Sequence, residues 1–248
     1  MTTVTYSAVH DLFIDERELR VYSNGTGTPV LMLHDLGSSA ACFEHLTTPL
    51  VRADRELVAV DLPGSGRSDP VPGTDLASYV EHLSLMLPSL GEKPIDLLGH
   101  GFGGYLAACL AANHPQLIRR LILSEPSAPP RSGPPVSARM SPGMALSGAM
   151  TTLRRGKLRQ NLQGFSRAKS VLDQLAQADP QWWDDLARIS APTLVLCSSA
   201  AEIGERALFD LIASSIPDAR RCTIAGGKRP HASSPVEFSA ELLTFLEA

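Results

Sequence analysis

The sequence lacks the features that direct a protein to a membrane or to nucleic acid. No apolar run approaches the roughly 20 residues of a membrane-spanning helix, and residues 1–13 lack the basic and apolar regions of a secretory signal. Lys and Arg number 22 against 26 Asp and Glu, and the net charge of −4 gives no footprint for nucleic acid or an anionic membrane. We therefore expect a cytoplasmic protein with neither partner; the oligomeric state, homo-oligomers included, stays open.

Metal and cofactor motifs are absent as well. The four cysteines (Cys42, Cys109, Cys197 and Cys222) show no C-x-x-C spacing and lie in apolar stretches, which favours core packing over a zinc or redox site. The glycine-rich residues 63–66 lack the Lys-Ser/Thr ending of a phosphate loop. The sequence thus predicts no metal and no cofactor.

What the sequence does contain is a regular alternation of short apolar runs and longer amphipathic stretches. This alternation is typical of an α/β fold with a mostly parallel sheet flanked by helices. Residues 126–187 break it, first with a Pro/Ser/Gly-rich piece and then with polar helical sequence. We predict one domain over residues 1–248, with residues 126–187 as a short helical cap inserted within it.

Four ordered segments carry a family resemblance. Residues 30–39 consist of an apolar run followed by His-Asp-Leu-Gly-Ser-Ser, and residues 61–69 contain the pattern D-x-x-G-x-G-x-S. Residues 97–104 end in the glycine-rich Gly-His-Gly-Phe-Gly-Gly, and the segment from residue 192 to Pro235 includes a Gly-Gly pair. Together they resemble the oxyanion loop, the conserved loop, the G-x-S-x-G nucleophile elbow and the acid–histidine stretch of the α/β-hydrolase superfamily. The resemblance covers about residues 29–125 and 186–248 and implies the α/β-hydrolase fold.

The resemblance also implies that the catalytic triad is missing. Gly101 stands at the position of the nucleophilic serine, and glycine offers no side chain for a covalent intermediate. Spacing places the family's acid on Ala201 and its histidine on Lys228. His231 lies three residues further on, where only a loop shift would bring it to the site. Hydrolysis through an acyl-enzyme is therefore not expected.

Other polar residues are candidates for chemistry. Asp35 stands where the family has glycine, so its carboxylate could act as a general base, or it could cap the following turn or helix. Glu125 ends a predicted strand where certain haloalkane dehalogenases carry their acid; the alternative is a solvated carboxylate. Lys228, if buried, could bind an oxyanion or form a Schiff base, and otherwise belongs to a solvated loop.

The remaining pocket residues follow from the resemblance alone. Leu36 and Phe102 would supply the backbone N–H groups of the oxyanion hole, while His34 and His100 flank the site and favour structural packing. Our leading hypothesis is a non-hydrolytic enzyme acting on a small hydrophobic carbonyl compound, of the cyclase, lyase or isomerase type. The alternatives are a catalytically dead ligand-binding or interaction module and, more weakly, a residual esterase that uses His231 and water.

Overall fold

The computed structural model describes residues 6–73, 75–134 and 158–248 and contains one eight-stranded sheet in that part of the chain. The strands are β1 (Ala8–Ile14), β2 (Arg17–Asn24), β3 (Thr28–Leu33), β4 (Arg55–Val60), β5 (Ile95–His100), β6 (Ile118–Ser124), β7 (Thr193–Ser198) and β8 (Ala219–Ile224). Their order is β1-β2-β4-β3-β5-β6-β7-β8. The pairs β1/β2 and β2/β4 are antiparallel and all others are parallel, as expected.

Helices connect the strands and cover the sheet. They are α1 (Thr47–Arg52), α2 (Leu76–Met86), α3 (Phe102–Asn113), α4 (Leu158–Leu175), α5 (Pro180–Asp185), α6 (Ile203–Ser215), α7 (Pro230–Ser233) and α8 (Pro235–Glu247). Short 3₁₀ turns occupy Ala40–Leu46, Leu87–Leu90, Pro115–Leu117 and Leu186–Arg188. Side-chain caps fix several helix starts: Asp75 accepts a hydrogen bond from Ser78 N and Asp179 accepts one from Trp182 N.

Two hydrophobic layers lie on opposite faces of the sheet. Successive strand residues point to opposite faces, so Leu97 belongs to one buried cluster and Leu98 to the other. All six residues of β5 and of β7 are buried. Parallel strands that are covered on both faces appear in sequence as continuous apolar runs, which explains why they could be recognised.

The predicted cap region is described at its two ends. Helices α4 and α5 lie within it, Val171 of α4 is fully buried, and Trp183 Nε1 donates to the Pro129 carbonyl at 2.9 Å. Residues 135–157 of that prediction lie outside the described part of the chain. None of the described helices is long and apolar enough to cross a membrane.

The carboxyl ends of β3, β5, β6 and β7 meet at one edge of the sheet. Gly101 and Glu125 directly follow β5 and β6, and Asp35 lies two residues after the end of β3. Ligands of open α/β sheets bind at this edge, so the topology brings the candidate residues to the expected place.

Candidate functional site

The turn from β5 into α3 has the geometry of a nucleophile elbow. Gly101 sits there with φ 56° and ψ −119°, in the left-handed region that disfavours side chains. A Cβ on Gly99 would lie 2.1 Å from the Gly103 carbonyl oxygen, and a Cβ on Gly103 would lie 2.1 Å from the carbonyl oxygen of Leu33. Strand and helix approach so closely that only glycine fits, as the motif predicted.

The Asp35 carboxylate fills the oxyanion hole. Its Oδ1 accepts a hydrogen bond from Leu36 N–H at 2.8 Å and a second from Phe102 N–H at 2.8 Å. These are the two donors that the resemblance assigns to a substrate oxyanion. The structure does not leave them available, because the chain's own carboxylate occupies them, and that part of the sequence expectation needs correction. Asp35 thus caps the start of α3 as well as the turn after β3.

Asp35 and a residue-101 side chain compete for the same space. A Cβ built on Gly101 would lie 2.1 Å from Asp35 Oδ1 and 2.3 Å from its Cγ. Both separations are far below van der Waals contact, so a serine at 101 and an aspartate at 35 cannot both adopt this arrangement. The absence of a side chain at 101 is thus what leaves room for the Asp35 carboxylate in this position.

The His34 side chain connects the loop that carries Asp35 to the start of the D-x-x-G-x-G-x-S loop. Its Nδ1–H donates to the Asp35 carbonyl at 2.7 Å, and its Nε2 accepts from Leu62 N–H at 2.9 Å. The ring is fully buried, and burial lowers its pKa. Both nitrogens of this neutral imidazole are therefore engaged within the chain.

His231 packs beside the elbow. Its ring centroid lies 4.4 Å from that of His100, edge to face, and it also contacts Phe43 and Phe238. The residue is 1% exposed, and burial, reinforced by the nearby histidines and an arginine, lowers its pKa to about 2. Its Nδ1 has no hydrogen-bond partner among the described residues. His231 therefore reaches the neighbourhood of the site as a neutral packing residue.

His100 is fixed by the neighbouring strand. Its Nδ1–H donates to the Ser124 carbonyl at 2.9 Å, and burial lowers its pKa. Its hydrogen bond is thus to the backbone of β6, and its ring packs on that of His231.

Glu125 holds the ends of two strands together. Its Oε1 accepts from Ser198 N–H at 3.0 Å, and its backbone has φ 45°, a strained conformation for a residue with a side chain. Burial raises the pKa of this half-buried carboxyl. Strain and a raised pKa at this edge keep Glu125 a candidate, although its carboxylate contacts β7.

The Lys228 side chain forms an ion pair with a residue of α6. Its Nζ pairs with Glu205 Oε1 at 2.7 Å, its side chain is 53% exposed, and this hydrogen bond raises its pKa. An acidic ammonium or a Schiff-base lysine requires the opposite shift, so this contact favours the solvated-loop alternative for Lys228. Ala201, at the family's acid position, is buried, and the adjacent Glu202 forms a capping box at the start of α6.

The D-x-x-G-x-G-x-S loop has a structural function. Asp61 Oδ1 accepts from Ala40 N–H at 2.9 Å, and its Oδ2 accepts from Arg67 N–H at 2.9 Å. A Cβ on Gly66 would lie within 1.9 Å of this carboxylate. The loop is thus wrapped around Asp61 and supports the 3₁₀ turn after β3. No group of three metal-ligating side chains is brought together in the part of the chain described.

With this geometry established, comparisons with known proteins assign the family. The chain belongs to the alpha/beta hydrolase family, whose sequence model matches residues 30–241. It is 30% identical over 257 residues to the polyketide synthase ThaQ of Burkholderia thailandensis, an alignment that covers 92% of this chain and 12% of that protein. It is also 35% identical over 112 residues to a 2-hydroxymuconate semialdehyde hydrolase of Pseudomonas putida, covering 42% of this chain and 38% of the hydrolase. The chain therefore matches only a minor part of either relative's length.

Solved structures agree on the fold. The thioesterase domain from the curacin biosynthetic pathway superposes with a TM-score of 0.69 at 17% identity, covering 98% of this chain and all of that domain. A hydrolase from Pseudomonas aeruginosa PA01 superposes with a TM-score of 0.73 at 24% identity, covering 98% of this chain and 99% of that one. At these identities the likeness concerns the fold alone.

Proposed function

We propose that this chain is a non-hydrolytic enzyme in which Asp35 acts as general base on a small, hydrophobic carbonyl-containing molecule. The reaction would be a cyclisation, an elimination or an isomerisation. The observation that carries this proposal is the Asp35 carboxylate, held by two backbone N–H groups in the space of the missing serine side chain.

The arrangement of this carboxylate suits a base. Oδ1 accepts both N–H groups, whereas no hydrogen bond from the described residues reaches Oδ2. Oδ2 is therefore the atom available to take a proton. Fixing the carboxylate by two backbone donors orients it in advance, and proton transfer depends first on such positioning. The N–H groups would hold the base rather than a substrate oxyanion.

One comparison motivates a biosynthetic substrate. A relative whose alignment covers 92% of this chain is a polyketide synthase, whereas the alignment with the 2-hydroxymuconate semialdehyde hydrolase covers 42% of it. Acyl thioesters with keto and hydroxyl groups offer acidic protons beside carbonyls, which a single base can remove. We take compounds of that class as the first substrates to test.

A direct experiment incubates short 3-oxoacyl and 3-hydroxyacyl N-acetylcysteamine thioesters with the protein in D₂O. Mass spectrometry then follows deuterium uptake, loss of water and ring formation. Asp35→Asn keeps an oxygen that can accept both N–H bonds but removes the base, and we expect a rate loss of ~10²–10⁴-fold. Asp218→Asn, the same change on an exposed residue away from this edge, is the matched control and should retain the wild-type rate.

The outcomes distinguish three possibilities: Asp35 as a general base, Asp35 as a cap for α3, and a chain that binds ligands without catalysis. Turnover that survives Asp35→Asn would contradict the base and leave Asp35 as a cap for α3. Thioester binding without conversion would favour the catalytically dead module. That alternative rests on one specific observation, namely that both donors of the hole are already satisfied within the chain.

A further inference from the structure

The centre of this site presents the opposite polarity to an oxyanion hole. Two free N–H groups would offer donors to a carbonyl oxygen. Here Asp35 Oδ1 accepts from both at 2.8 Å, so a ligand approaching the same point meets a carboxylate, which only accepts.

A side-chain cation lies in this region, since burial and, to a lesser extent, Arg229 lower the pKa of both His100 and His231, but it does not pair with the carboxylate. No ion pair to Asp35 occurs among the residues that the structure describes. The Phe102 side chain, on the residue whose backbone N–H binds Asp35, is apolar and packs edge to face on Tyr79, with 5.5 Å between their centroids. A ligand carboxylate or developing oxyanion at Oδ1 would face like charge, which is unfavourable.

From this geometry we infer that the ligand binds Asp35 through a hydrogen-bond donor, a hydroxyl or ammonium group, and not through a carbonyl oxygen. The inference rests on the proposed function and specifies its substrate. A hydroxyl at Oδ2 would place its proton directly on the base, while the ligand's carbonyl would lie elsewhere along the apolar surface.

Two probes with the same alkyl chain, hexylamine and hexanoate, test the inference. Chemical shifts of the Leu36 and Phe102 amides, followed in protein labelled with ¹⁵N-leucine and ¹⁵N-phenylalanine, report binding at this point. Hydrogen bonds to charged groups contribute ~1.5–3 kcal/mol, so the wild type should bind hexylammonium about 10- to 100-fold more tightly than hexanoate. Asp35→Asn should lose this preference, and Asp35→Gly, which frees both N–H groups, should reverse it.

The controls exclude unspecific attraction. The net charge of −4 would favour any cation, but Asp218→Asn changes that charge equally and should leave the preference intact. If hexanoate binds the wild type as well as hexylammonium does, with shifts at both amides, Asp35 leaves the hole and the inference is overturned. The inference is also overturned if Asp35→Asn still prefers hexylammonium to hexanoate. This comparison can be made even if the Asp35→Gly variant folds poorly. Binding is measured here without turnover. If the protein converts thioesters but does not prefer hexylammonium to hexanoate, the inference is refuted while the proposed function stands.

Discussion

At the scale of single residues, the decisive feature is the exchange between positions 35 and 101. A glycine at 101 leaves room and the aspartate at 35 fills it, where the family resemblance would place a serine and a glycine. Without this carboxylate, the Leu36 and Phe102 N–H groups would lose the acceptor that they have here. The carboxylate satisfies both, so the elbow and the N-terminus of α3 stay anchored without a nucleophile.

Restoring the serine therefore tests whether the two positions are coupled. Gly101→Ser should lower the free energy of unfolding by about 1–3 kcal/mol, because its Cβ would overlap Asp35 Oδ1 at a left-handed backbone position. Removing the clash with Asp35→Gly should recover part of the loss. Urea unfolding of the wild type, both single variants and the double variant gives the coupling energy. Strictly additive effects would show that the two positions are independent.

The same four proteins test the expectation that this chain does not hydrolyse substrates through an acyl-enzyme. None should react with a fluorophosphonate, since a serine at 101 would still lack a base: Lys228 pairs with Glu205, and Ala201 offers no acid. Labelling of the Asp35→Gly/Gly101→Ser protein would mean that His231, or another base, can activate the new serine. That result would revive the residual-esterase alternative.

At the scale of helices and strands, most of the fold could be predicted because buried parallel strands are continuous apolar runs. The apolar runs at residues 30–33, 57–60 and 95–98, which the sequence pattern indicates as strands, all lie inside observed strands. Residues 40–51, where the same pattern indicates one helix, form a 3₁₀ turn followed by α1, a distinction that apolar periodicity does not make.

Contacts between distant segments explain what the sequence could not predict about the site. The motifs located Asp35 and Gly101, but not the hydrogen bond from Phe102 to Asp35 that makes the hole inaccessible. Likewise, nothing local indicates that Lys228 pairs with α6. The sequence signal that could have indicated this contact is that Asp35 and Gly101, in two different motifs, both depart from the family pattern.

A buried ion cluster joins strands at the opposite edge of the sheet. Asp96, at the start of β5, is fully buried and accepts hydrogen bonds from Arg119 of β6 and Arg55 of β4. Arg55 also donates to the Leu246 carbonyl of α8 at 2.7 Å. The cluster thus links three strands and the last helix.

Truncating Asp96 should be costly for stability alone. Asp96→Ala leaves two guanidinium groups without their shared partner, and we expect unfolding to become about 3–5 kcal/mol easier. Asp11→Ala, which removes a more exposed partner of Arg20, should change it by about 0–1 kcal/mol. Chemical denaturation of both variants measures their free energies of unfolding. Equal losses in the two variants would mean that Asp96 contributes no more to stability than a surface ion pair does.

At the scale of the whole molecule, buried histidines make stability depend on pH. Burial lowers the pKa of five of the seven histidines: His34, His45, His82, His100 and His231. In the unfolded chain these imidazoles titrate near the ordinary value of about 6.5. Below that pH the unfolded chain therefore binds more protons than the folded one. Stability should be fully present above about pH 7 and lost as the pH falls through and below about 6.5.

Replacing His231 should reduce this pH dependence by one proton. His231→Phe keeps a ring among Phe43, His100 and Phe238 and removes the buried Nδ1 that has no partner among the described residues. With a folded pKa of about 2, His231 stays neutral in the folded protein, whereas the same side chain becomes protonated in the unfolded chain. Between about pH 6 and pH 5 each such group contributes to the free energy of unfolding a slope of up to ~1.4 kcal/mol per pH unit.

Urea unfolding at several pH values measures this slope. It should be shallower by about that amount in His231→Phe, whereas His10→Gln, which alters an exposed histidine, should keep the wild-type slope. An unchanged slope in His231→Phe would mean that His231 takes up a proton in the folded protein, and it would then again be available as an acid or base beside the elbow.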